Sequence, residues 1–152
     1  MIVNRKAINA YGSTSLECQV EAATPHQLVV MLFDGVIKSI NIAKFHLQQG
    51  NVAEKGMALT KAIAIVEEGL RLSLDINSGG ELAENLDALY EYSAYQLLQA
   101  NLKNDESILD QVLVLMNDLR ASWLSINPAA NTISRPEEAL INSANILSYG
   151  RG

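Results

Sequence analysis

T-P-H-Q-L-V-V-M-L-F-D-G, residues 24–35, is the stretch on which the fold turns. Thr24 can accept a hydrogen bond from a free backbone N–H, and Pro25 has its φ preset for a first helical turn. A helix therefore starts here. Leu28 to Phe33 are six apolar residues in succession. Continued to about Gln49, the helix carries two apolar stripes, Leu28, Leu32, Val36, Ala43, Leu47 and Val30, Phe33, Ile37, Ile40. A helix on a single core needs one stripe, so the second is expected to meet another surface of the chain or a partner. Gly50 tolerates a left-handed backbone and ends the helix.

Downstream, Asn51 is placed to cap a second helix bearing Leu59, Ala62, Ile63, Val66, Leu70 and Leu74 at three- and four-residue steps. Its interior Gly56 and Gly69 lower helix propensity by about 1 kcal/mol each, which suggests close packing there. Asn77-Ser78-Gly79-Gly80 closes that helix, and a third begins near Glu81 with Leu82, Leu86, Leu89, Tyr90, Leu97 and Ala100. A break at Lys103-Asn104-Asp105 leads to a fourth, with Ile108, Val112, Leu115, Met116, Leu119, Trp123 and Ile126 on one face. Short loops make sequential helices antiparallel. The expectation is an all-α fold, an antiparallel up-down-up-down four-helix bundle over 24–127. A leader or cap element, 1–23, precedes it, and a tail, 128–152, helical from about 136 to 147, follows.

Composition agrees with helix and narrows function. Of 152 residues, 49% are hydrophobic but only 5% aromatic, and three prolines interrupt the chain. A net charge of −6 disfavours nucleic acid. Cys18 is the only cysteine, so no internal disulfide forms, in keeping with a reducing compartment. No apolar run approaches the ~18 residues of a membrane span. A cytoplasmic protein without membrane insertion is expected.

Chemistry is sparse. Di-iron bundles carry Glu-x-x-His pairs on facing helices. Here the two histidines, His26 and His46, share one helix and neither follows a Glu by three residues. Phosphate-binding glycine loops and nucleophile-elbow motifs are missing. The reading is a non-enzyme with no cofactor and no metal. His26 reads as a capping or packing residue. Asp34, a lone acid in an apolar helix, reads equally as a solvated group or as an acceptor for a neighbouring segment. Tyr90, Tyr92 and Tyr95 cannot all face the core, so at least one is exposed.

Taken together, Ala10-Tyr11, V-E-A-A-T-P-H-Q-L-V-V-M-L-F-D-G (20–35), G-G-E-L-A-E-N-L (79–86), L-Y-E-Y (89–92), A-N-L-K-N-D (100–105) and L-R-A-S-W (119–123) resemble the FliS family of flagellar secretion chaperones in order and spacing. The resemblance implies a cytoplasmic export chaperone that binds the disordered C-terminal segment of flagellin. It would prevent premature polymerisation and aid delivery to the flagellar type III export apparatus. It also implies that the N-terminal element covers part of the groove when cargo is absent, which makes Tyr11, with Ile8 beside it, the first candidate contact; residues 2–11 would be a displaceable lid. Cargo contacts are further expected on the second to fourth helices, at Leu86, Leu89, Tyr90, Leu97 and Val112, although Leu86 and Leu89 read more readily as core. Asn85 and Asn101 match family asparagines and would pair with cargo backbone or with neighbouring loops. Phe33 stands where the family usually has tyrosine. The alternative is a homodimeric helical structural or interaction protein with another partner, since surplus apolar stripes predict self-association as readily as cargo binding.

Overall fold

A computed structural model describes residues 19–126, which include no strand. After a helical stretch over 19–22, the bundle helices run α1 (Pro25–Gln48), α2 (Val52–Ala64), α3 (Ile76–Lys103) and α4 (Glu106–Leu124), with a π-helical segment, Ile65–Leu70, continuing α2. Each helix packs on its sequence neighbours, and α1 closes the ring against α4. The up-down-up-down bundle expected from the short loops is therefore the observed architecture. Ile8, Tyr11 and the proposed tail helix lie outside the described residues.

The turns are built by local chemistry. Thr24 and Gln27 form a capping box, each side chain bonding the other's backbone, at 3.1 and 2.9 Å. Gly50, with φ 77°, ends α1 in a Schellman turn: its N–H bonds Leu47 and that of Asn51 bonds His46. Asn51 makes no side-chain cap for α2, contrary to expectation; its amide instead approaches His46 Nδ1 at 3.3 Å. At the other tight turn Asn104 takes the left-handed position, φ 52°, and the Asp105 N–H returns to Ala100. Asp105 then caps α4 through Ser107 N at 2.9 Å. Gly80, with φ 59°, kinks the start of α3, so the regular helix begins at Glu81 as its charge suggests.

The core joins Phe33, Val36 and Ile40 of α1, Leu59, Val66 and Leu70, then Leu97 of α3 and Leu109, Val112 and Met116 of α4. The second stripe of α1 needs no external partner, because α1 lies between two neighbours. Phe33 meets Tyr90 with ring centroids 6.4 Å apart, and Ile65 reaches toward Gly35. Leu32 rests on Gly69: a Cβ there would lie 2.9 Å from Leu32 Cδ2. The absent side chain of Gly69 thus permits the close packing that its helix cost implied.

A polar seam zips α1 to α4. Arg120 Nε donates to Asp34 at 2.5 Å, Lys44 pairs with Asp110 at 2.7 Å, and Gln48 donates to Glu106. The spacing of the residues on one helix is matched in reverse on the other, which is antiparallel register made visible. Asp34 is therefore an acceptor for a neighbouring segment, one of its two readings. These pairs lie at the solvent-facing edge of the bundle, where water screening leaves each a modest contribution. At the far end His26 stacks on Trp123, centroids 5.3 Å apart. Trp123 Nε1 donates to the His26 carbonyl at 2.9 Å, and the His26 ring bonds the Trp123 carbonyl at 2.9 Å. His26 is a packing residue.

Candidate functional site

Helix α3 separates inward from outward residues along its length. Leu86, Tyr90 and Leu97 are buried, as is Val112 of α4 opposite them. These four expected contacts lie within the bundle and offer no surface to a partner as the chain is folded. Leu89 is half-buried against the core, and its carbonyl accepts from Ser93 Oγ at 2.8 Å. Asn85 is exposed. The structure brings the buried leucines together but does not join them to Asn85 as one surface.

The backbone carbonyl of Asn101 has a partner inside the bundle. Lys55, 2% exposed, extends from the first turn of α2 and donates to the Asn101 carbonyl at 2.9 Å and to Asn104 Oδ1. A cation at this place satisfies a carbonyl left over at the α3 terminus and complements the helix dipole. Burial pulls the Lys55 ammonium below its ordinary 10.5, because neither partner carries a charge to offset lost hydration. In sequence Lys55 looks like a surface residue, and only Gly56 beside it, where Asn101 Oδ1 approaches, hinted at close contact.

A second tie lies at the π segment. Arg71 grips Asp87 through both oxygens, at 2.7 and 3.1 Å, and bonds Glu67 at 2.8 Å. This arrangement holds Arg71 more firmly charged and lowers the Asp87 carboxyl, the hydrogen bond to Arg71 being the main cause. It fastens the end of the π segment to α3 without leaving an unpaired charge.

Tyr90 is a different case. Its hydroxyl bonds no described residue, and burial pushes the phenol above its ordinary 10.0. An unfolded chain releases that proton near pH 10 and the folded one retains it, so folding stability is lost as pH rises above 10. Tyr90→Phe should therefore remove part of this alkaline loss. At neutral pH it should leave stability unchanged or raise it by about 1 kcal/mol, since a buried hydroxyl without a partner is a cost. Urea midpoints at neutral and alkaline pH decide; a loss above ~1 kcal/mol at neutral pH would show that the hydroxyl has a partner after all.

What α3 does present outward is an apolar stripe missed by the sequence reading. Tyr92, Tyr95, Leu98 and Leu102 follow one another at three- and four-residue steps, and all are more than 40% exposed. Tyr92 and Tyr95 are thus the exposed members of the tyrosine cluster. The signal was available as a second helical period one position out of phase with Leu97. Among the described residues no group of His, Cys, Asp and Glu could hold a metal, and no helix is long and apolar enough to cross a membrane. The α3 stripe can bury an apolar segment; it holds no nucleophile and no general base.

The family profile of flagellar protein FliS matches residues 7–130. The flagellar secretion chaperone FliS of Salmonella typhimurium is 45% identical over 124 residues, 82% of this chain and 92% of its own length. That of Vibrio cholerae is 38% identical, covering 88% of this chain and 97% of its own. The Bacillus subtilis chaperone is 35% identical over 68% of this chain and 76% of its own.

Proposed function

Because this chain belongs to the FliS family of flagellar secretion chaperones, we infer that its cargo is the disordered C-terminal segment of unassembled flagellin. It holds that segment in the cytoplasm, prevents premature polymerisation and aids delivery to the export apparatus. The family is one of chaperones, not enzymes. The observation that carries the reading is the outward stripe of α3, with Tyr95 56%, Leu98 44% and Leu102 68% exposed. A disordered segment loses ~2–5 kcal/mol in ordering when it binds, so it needs a long apolar surface against which to fold. Residues at three- and four-step spacing accept an amphipathic helix in that way. Ile8 and Tyr11 are proposed to cover part of this surface when cargo is absent, and Asn85, exposed near the start of α3, to bond cargo backbone. Leu86, Tyr90, Leu97 and Val112 support the surface from beneath.

Calorimetric titration with a synthetic flagellin C-terminal segment tests the proposal. One-to-one binding with a negative heat-capacity change is expected, and Ile8→Ala with Tyr11→Ala should alter the affinity. The same stripe would also serve a homodimer. A dimer that persists when the segment is added, with no heat of binding, would favour that alternative and end the flagellin reading.

A further inference from the structure

An open groove of about 380 Å³ lies between α1 and α2, away from the α3 stripe, and continues along α1 past Phe45 to His46. Small residues, Gly35, Ser39 and Ala58, form its floor and allow a helix to approach closely. Ile42, Phe45 and Met57 stand over it, with Met57 73% exposed. Ser39 is 4% exposed, lines the groove and makes no hydrogen bond to a described residue. A buried hydroxyl in that state offers a donor to whatever occupies the groove.

Charge defines the occupant further. The chain is acidic, and Lys44 and Arg120 are engaged with Asp110 and Asp34. Lys38 and Lys61, by contrast, make no ion pair with a described residue and line the groove together. Because α1 and α2 are antiparallel, they fall toward one end while His46 and Glu54 lie toward the other. From Asp34 to His46 the groove follows about 18 Å of helix, some three turns. A helix lying in it would place its negative C-terminal end at the lysines and its positive N-terminal end near Glu54.

We propose that this groove docks a short amphipathic helix from a second partner protein, apolar on one face and acidic in its last turn, while α3 holds cargo. The proposal does not depend on the cargo being flagellin. It is tested with the full chain and two labelled peptides of roughly 14 residues. Both carry leucine and methionine on one face; one has glutamates in the last turn, the other lysines. Fluorescence anisotropy should show the acidic peptide binding roughly tenfold more tightly than the basic one. Lys38→Glu with Lys61→Glu should reverse that preference, and Met57→Asp should abolish binding of both. These side chains are exposed or at the groove rim, and circular dichroism checks that each variant remains helical. Binding should persist when the flagellin C-terminal segment is in excess.

Equal binding of the two peptides, or none, would overturn the proposal. So would displacement by the flagellin segment, which would assign the groove to cargo. Self-association that Met57→Asp removes, with no peptide bound, would assign it to a second copy of the chain.

Discussion

Leu97→Ala is expected to lower folding stability by about 3 kcal/mol while leaving the cargo affinity of the folded protein nearly unchanged. Leu97 is fully buried and belongs to the central cluster, in which leucine, methionine and phenylalanine side chains meet. Truncation removes apolar contact and leaves a cavity that four packed helices cannot collapse without shifting one another. In a bundle of this size the melting temperature should fall by roughly 10–20 °C. Urea unfolding gives the stability change, and titration well below the variant's melting temperature gives the affinity. A stability loss under ~1 kcal/mol, or weakened binding by a protein that is still fully folded, would mean that Leu97 is a contact and not support.

The adjacent residue should behave in the opposite way. Tyr95→Ala combined with Leu98→Ala is expected to weaken flagellin-segment binding roughly a hundredfold, because a tyrosine anchor near the centre of an interface carries much of its energy and the leucine beside it excludes water from the contact. Both side chains are already substantially exposed, so their removal should cost the free protein under ~1 kcal/mol. The pair of measurements separates surface from support across a single peptide bond. Unchanged affinity in the double variant would move the cargo elsewhere on the bundle.

Why one leucine faces the core and the next faces outward is a matter of 100° of helical rotation, and it shows how far the sequence could be read. Helix number, order and most boundaries were legible because their determinants are local: Thr24-Pro25 at one end, Gly50 at another, Asn104-Asp105 at a third. Leu97 and Leu98 carry the same side chain, so which one faces inward depends on where three other helices settle. The π segment was invisible for a related reason. Ile65-Val66-Glu67-Glu68-Gly69-Leu70 has an ordinary helical pattern, and its wider turn is evident only beside Leu32 and Arg71. The burial of Lys55 carried no sequence signal, because a lysine looks solvated until a helix terminus is found at its ammonium. The two stripes of α1 were read correctly as surplus for one face, but the surplus is absorbed inside the ring; its outward apolar residues are Ile42 and Phe45.

The stacked pair His26–Trp123 joins the beginning of α1 to the end of α4. An even number of antiparallel helices returns the chain to the level from which it set out, so the described bundle is topologically a nearly closed loop. The described chain therefore enters α1 and leaves α4 at the same pole. Among the described residues the opposite pole bears the turns at Gly50 and Asn104, and the second interhelix connection returns to the pole of His26 and Trp123. The bundle is thus a polar object, with both covalent leads at one end and two tight reversals at the other.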